Sequence, residues 1–145
     1  MTGYNGDKIR KHLDRFSEGR DIHITNITNQ LWQKGNGIPS SGKKPLHERF
    51  MLLMGEHFFE ESIPMRIKNE RAADGEVLVA VDHNIETVDT VRGNDSTKVL
   101  VEEGRILDIG KNIKKYNAYD TGIFLCSPAL FAAMEESLQQ KMSGG

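Results

Sequence analysis

Glu56 and His57 follow an uninterrupted apolar run, Phe50 to Met54, with only Gly55 between. A carboxylate beside an imidazole can hold a cation, move a proton or orient a hydroxyl. Five apolar residues in a row suit a strand covered on both faces, as in a parallel sheet. Ligands of open α/β sheets bind beyond the carboxyl ends of such strands, so the pair falls where a site belongs. The plainer reading is a turn whose glutamate starts the next helix, and position alone leaves both open. Cys126, the single cysteine, lies in the apolar stretch GIFLCSP and reads as a core residue rather than a nucleophile. A small metal-dependent hydrolase built on Glu56, His57 and His83 would need ligand spacing. The histidines offer neither an H-E-x-x-H helix nor a paired-ligand pattern.

The elements that must position these groups follow from patterning. The chain has 145 residues, 37% of them hydrophobic, which is one domain's length with material for a real core. A net charge of -2 argues against a broad polyanion-binding surface, and so against a nucleic acid partner, but leaves room for a local phosphate site. One cysteine excludes an intramolecular disulfide framework. No apolar run reaches the length of a membrane span, and no signal peptide is visible. The expected compartment is the cytoplasm.

Asn5-Gly6-Asp7 is a turn and cap ahead of a helix with Ile9, Leu13 and Phe16 on one face. DIHITNI alternates as a strand, and KGNGIPSSGKKPLHE reads mainly as a loop. After the Phe50 strand comes a helix over FEESIPMRIKNERAA, interrupted or restarted at Pro64. EVLVAVD is a strand, VDTVRGNDS a polar connection, and TKVLVEE with RILDIG a hairpin split at Gly104. AYDTGIFLCS is a last strand, and PALFAAMEESLQQ a last helix behind Pro128. Strands alternating with helices, plus one hairpin, give an α/β class with a mixed, mainly parallel sheet.

The order of these pieces carries a resemblance. TGYNGDKIRKHL, then KGNG, FMLLMGEHFF, KVLVEEGRILDIGK and YDTGIFLCSPALF together resemble the middle of a sugar-phosphate nucleotidyltransferase. The nearest branch is that of archaeal CTP:inositol-1-phosphate cytidylyltransferase-like domains. Each motif is short; their order and spacing over Gly3 to about Leu138 make the likeness. It implies a Rossmann-like fold, with residues 1–145 as a partial nucleotidyltransferase domain. It also implies transfer of a nucleotidyl group, CMP from CTP, to a phosphorylated polyol or sugar such as inositol 1-phosphate. The acceptor phosphate attacks the α-phosphorus and pyrophosphate leaves, chemistry that gains from positioning and charge neutralisation. Magnesium is the implied cofactor.

Residue by residue, the resemblance implies that Gly35, Asn36 and Gly37 lie against the nucleotide base, where glycine permits close backbone approach. Glu56 takes the place of the family's strand-end magnesium aspartate, with one extra methylene, and His57 shapes the site beside it. Lys111, in IGKN, meets the acceptor phosphate and is the implied catalytic residue; an ammonium suits a phosphate as a point charge. Asp120, Thr121 and Gly122 hydrogen-bond the acceptor's hydroxyls. Lys98 is a weaker acceptor-side candidate, and Lys43-Lys44 reads as a solvated loop.

Two departures bear on activity. The family's first strand and GGxGTR-type loop have no counterpart ahead of Thr2, and a second magnesium carboxylate would fall after Gly145. The chain is therefore expected to lack the first βα unit, to turn over little CTP alone, and to form a homodimer or pair with the missing segment through uncovered sheet. The competing reading is a non-catalytic fragment or binding module that keeps the fold without the triphosphate loop.

Overall fold

The computed structural model describes residues 6–20, 46–55, 57–86 and 96–143. Within them lie α1 (Gly6–Ser17), β1 (Phe50–Leu53), α2 (Ser62–Lys68), β2 (Leu78–Asp82), β3 (Lys98–Glu102), β4 (Arg105–Gly110), β5 (Ala118–Cys126) and α3 (Ala129–Ser143). The strand expected over DIHITNI, the loop KGNGIPSSGKKP and most of the connection after Glu86 lie outside the described residues. The chain divides into two compact units. One comprises Met1–His47 with Phe131–Gly145, and the other Glu48–Leu130. Among the described residues no helix is long and apolar enough to cross a membrane.

In the first unit, α1 forms where the turn and cap place it. Asp7 in its first turn complements the helix dipole and pairs with Arg10 at 3.2 Å. Of its apolar face, Ile9 and Phe16 stay 43% and 50% exposed, and the Arg20 guanidinium lies over the Phe16 ring.

The second unit is built around β5, the longest strand. Met51 and Leu78 both pair with Leu125, so β1 and β2 occupy opposite edges of β5. Lys98 and Asp82 both pair with Tyr119, which places β3 on the β1 edge. The result is an open five-stranded sheet, order β1-β5-β3-β4 with β2 on the far side of β5. All four described ladders are antiparallel. Phe50 to Leu53 is a strand as the apolar run indicates, but its described partner opposes it, correcting the expected central parallel strand. An apolar run reports covered faces and carries no information on a neighbour's direction. The parallel character survives as β1 and β2 pointing the same way on either side of a reversed β5.

Ile123 and Leu125, two residues apart and so on one face, bury against Ile67 of α2. Met51, Ile63, Leu78 and Ala80 complete this cluster. Helix α2 is shorter than its sequence pattern, and Pro64 does not interrupt it. The proline stands in the first turn, where its missing N–H is no loss. Asn69 closes the far end, its N–H reaching the Arg66 carbonyl at 3.1 Å.

The hairpin follows its turn chemistry. Glu103 and Gly104 form a two-residue loop with φ of 50° and 76°, the pattern of a type I′ turn. Rungs Leu100↔Asp108 and Val101↔Ile106 leave Leu107 as a bulge. Asn117 extends the pairing of β3 beyond the end of β5. Its side-chain amide donates to the Val101 carbonyl at 2.7 Å and accepts from the Val101 N–H at 2.8 Å. Glutamate is ill suited to a left-handed position, whereas asparagine tolerates it. Glu103→Asn is therefore expected to stabilise the protein by about 0.5–1 kcal/mol, read as a higher urea midpoint at unchanged m-value.

Candidate functional site

The sheet's irregularity lies at Asp120-Thr121-Gly122. Between Val79↔Phe124 and Val81↔Asp120, β2 advances two residues while β5 advances four, so β5 bulges there. Gly122 makes the bend possible with φ of +75°, a conformation that costs a side-chain-bearing residue about 1–2 kcal/mol. Three hydrogen bonds fix it. The Gly122 N–H donates to Asp120 Oδ1 at 2.8 Å, a local Asx turn. Thr121 Oγ1 donates to the Ala80 carbonyl at 2.7 Å, serving a β2 residue that has no rung partner. On the other edge the Met54 N–H donates to the Gly122 carbonyl at 2.9 Å.

That last bond brings the end of β1 onto the bulge. The His57 N–H closes the turn on the Met54 carbonyl at 3.3 Å. The His57 ring then seats over Gly122 so closely that a Cβ there would lie 2.9 Å from its Nδ1 and from Met54 Cβ. Asp120, Thr121, Gly122 and His57 are thus one constellation at the carboxyl end of β1, with Gly122 buried and the other three half-buried. Asp120 keeps its Oδ2 without a partner among the described residues. Thr121 is less open than its sequence role suggests, because its proton goes to Ala80 and only its lone pairs remain.

Lys111 follows β4 directly. Its neighbour Gly110 pairs with Lys98, which pairs with Tyr119, so Lys111 stands about two strand spacings, ~10 Å, from β5 on the rung beside Asp120. Lys98 itself lies with its ammonium 5.0 Å from the Tyr116 ring centroid, and Tyr116 in turn meets Tyr119 at 5.5 Å. His83 shares its Nδ1 with the Asn117 carbonyl at 2.9 Å. Gly35, Asn36, Gly37 and Glu56 lie outside the described residues. Among the described residues no three His, Cys, Asp or Glu side chains gather as a metal cluster.

A cavity of about 930 Å³ lies elsewhere in the same unit, between α2, β2 and the hairpin tip. Arg66, Arg71 and Arg105 line it together with Glu70, Glu76 and Glu103, so its charges balance. Arg105 and Glu76, both well exposed, stand 3.9 Å apart. His83 lines it as well, but none of the residues that the nucleotidyltransferase resemblance singles out for nucleotide, acceptor or metal does.

Cys126 ends β5 with 2% exposure, a core residue as its sequence context indicates. Burial pushes its thiol above the ordinary range. A folded value above the unfolded one means the thiol's contribution to stability is whole below the ordinary thiol pKa and is lost as pH rises through the folded value. An aromatic disulfide reagent at pH 8 is expected to label native protein on the order of 1,000-fold more slowly than urea-unfolded protein; comparable rates would mean that this end of β5 opens.

No family model matches the chain. The chain is 28% identical over 145 residues to the bifunctional IPC transferase and DIPP synthase of Rubrobacter xylanophilus, covering 99% of this chain and 31% of that protein. It is 32% identical over 135 residues to the protein of the same description from Aquifex aeolicus, covering 92% and 29%. Over 125 residues it is 29% identical to that of Archaeoglobus fulgidus, covering 86% and 24%. The chain thus spans about a third or less of the length of these curated relatives. The solved inositol-1-phosphate CTP transferase from T. maritima matches with a TM-score of 0.71 at 22% identity, over 88% of this chain and 51% of that one. The chain has the α/β nucleotidyltransferase fold, and its sequence is similar to the IPC transferase/DIPP synthases as the motif order indicates.

Proposed function

We propose that this chain carries the acceptor side of a cytidylyltransferase site, one that joins CMP from CTP to inositol 1-phosphate or a closely similar phosphorylated polyol. The single observation that supports it is the β5 bulge. A left-handed glycine turns Asp120 into an Asx loop with one carboxylate oxygen unpartnered, under the turn that ends β1, in a chain whose sequence likeness to IPC transferases runs nearly end to end. In the transfer an acceptor phosphate oxygen bonds to the α-phosphorus, the bond from that phosphorus to the bridging oxygen breaks, and pyrophosphate carries the electron pair away. Asp120 Oδ2 accepts hydrogen bonds from polyol hydroxyls, and Lys111 neutralises the acceptor phosphate. Gly35, Asn36 and Gly37 admit the flat base.

Magnesium binds proteins through as few as one or two carboxylates and takes the rest of its shell from phosphates and water. Glu56 would hold it, and the ion would neutralise phosphate charge. A second reading, a binding module that keeps the fold and the acceptor pocket without turnover, is favoured by Glu56 itself. Its longer arm displaces the carboxylate by over ~1 Å from the aspartate position, and octahedral magnesium tolerates such shifts poorly. Calorimetry with CTP and with CDP-inositol, each with and without magnesium, tests the proposal. Binding of CDP-inositol is expected in both readings. Magnesium-dependent CTP binding with pyrophosphate release supports the transferase, and CDP-inositol binding alone supports the module. Neither nucleotide binding would overturn both.

The proposal includes self-association. Phe58 is 98% exposed, with Leu53 and Met54 at 44% and 40% beside it, and such patches seek cover. Sedimentation equilibrium at micromolar concentration is expected to give a dimer or larger species, and a strict monomer would remove that part of the proposal.

A further inference from the structure

The chain between β4 and β5 opens with Lys111 and closes with Asn117, and it must pass β3, which lies between those two strands. β3 meets β5 in only two rungs, Lys98↔Tyr119 and Val99↔Ala118. Val101 lies beyond the start of β5. In a two-residue hairpin closed by Glu102↔Arg105, the next pair, Val101↔Ile106, is the one whose peptide groups turn away from each other. The Val101 N–H and carbonyl therefore face outward, with no strand residue opposite.

Asn117 takes both of them. Its Oδ1 accepts from the Val101 N–H at 2.8 Å and its Nδ2 donates to the Val101 carbonyl at 2.7 Å. Its backbone N–H donates to the Val99 carbonyl at 3.1 Å, and its own carbonyl meets His83 Nδ1 at 2.9 Å. The ends of β2, β3 and β5 thus join at one residue. An uncharged amide is the chemistry this joint calls for, because it donates and accepts in one plane as a peptide group does. A carboxylate would only accept, and would set one of its oxygens against the Val101 carbonyl. The neighbouring tie, Lys115 to Glu102 at 3.4 Å, joins two well-exposed side chains and is worth little in water.

We infer that Asn117 is a positioning residue for the acceptor. Its clamp on Val101 sets the spacing between Lys111, carried by the hairpin and the connection, and Asp120, carried by β5. That spacing fixes the span between phosphate and hydroxyls in the ligand the site takes. Two rungs alone leave the hairpin a pivot; the clamp, one further step along β3, supplies the second fixed point that stops it turning. A ligand held only at its phosphate is indifferent to this spacing. One held at both ends depends on it. The inference rests on the acceptor reading given above and deepens it, from which groups hold the acceptor to what sets the distance between them.

The test is calorimetry of the wild type, Asn117→Ala and Asn117→Asp with inositol 1-phosphate and with inorganic phosphate, alongside amide hydrogen exchange at Val101. Both substitutions leave the backbone bonds of residue 117 in place. Each is expected to speed Val101 exchange and to weaken inositol 1-phosphate binding, both roughly 5- to 10-fold, while inorganic phosphate binding stays unchanged. In the wild type, inositol 1-phosphate should slow Val101 exchange further and inorganic phosphate should not, a readout that needs no variant. A Val101 amide freed by the substitutions with inositol 1-phosphate affinity unchanged would overturn the positioning role and leave the acceptor reading standing. Equal weakening of both ligands would overturn it too, as a general loosening of the fold. A wild type that binds no inositol 1-phosphate would overturn the acceptor reading and the positioning role with it.

Discussion

Gly122→Ala is expected to destabilise the protein by about 2–4 kcal/mol. The left-handed backbone alone accounts for about 1–2 kcal/mol. The new methyl would also lie 2.9 Å from His57 Nδ1 and from Met54 Cβ, and overpacking of this kind costs about 1–3 kcal/mol. Met54 Cβ is attached directly to backbone that hydrogen-bonds Gly122, so it cannot swing away without breaking that bond. Gly75 supplies the control. It has φ of +84° but nothing within 4 Å of a built Cβ, so Gly75→Ala should cost only the backbone share, about 1–2 kcal/mol. Urea unfolding of both variants isolates the contact. Equal losses would mean that the turn ending β1 does not press on the bulge, and the constellation would lose its geometry.

Lys111→Ala carries the other large effect. An ammonium on a phosphate is a charge-assisted bond, about 1.5–3 kcal/mol, or on the order of 10- to 150-fold in affinity. The loss should fall on inositol 1-phosphate alone, with CTP and cytidine monophosphate unaffected, because the lysine follows β4 on the rung that leads through Lys98 to Tyr119 beside Asp120. Lys111→Arg should restore much of the affinity for inorganic phosphate and less for the polyol phosphate, since a guanidinium is broader and rigid. Calorimetry at two salt concentrations adds a check, as the wild-type affinity should fall with salt and that of Lys111→Ala should fall less. An equal loss for CTP would place the lysine on the triphosphate instead.

Much of the architecture was legible in local pattern. The hairpin at Gly104, the strand over Leu78 to Asp82 and the helix behind Pro128 each carry their own turn or period, and all form where the pattern places them. Strand direction was not legible, because alternation and apolar runs describe faces and the direction of a neighbour is a long-range property. The bulge left a trace, a lone glycine inside an apolar strand, which commonly marks a bend or a close approach. What Gly122 approaches could not be read, since Met54 and His57 lie more than sixty positions away. Separation in sequence also hid the cavity, whose arginines come from α2, from the loop after it and from β4. Thr121 shows the converse. Its type suits a ligand hydroxyl, yet the bulge gives its proton to the Ala80 carbonyl.

The central claim is that the acceptor binds at the β5 bulge rather than in the cavity beneath the hairpin. Amide chemical-shift mapping of the isotope-labelled protein during titration with inositol 1-phosphate tests this directly. Shifts concentrated at Asp120, Thr121, Gly122, His57 and Lys111, with Arg66, Arg71 and Arg105 still, are the predicted result. Shifts centred on those three arginines, with the bulge silent, would contradict it.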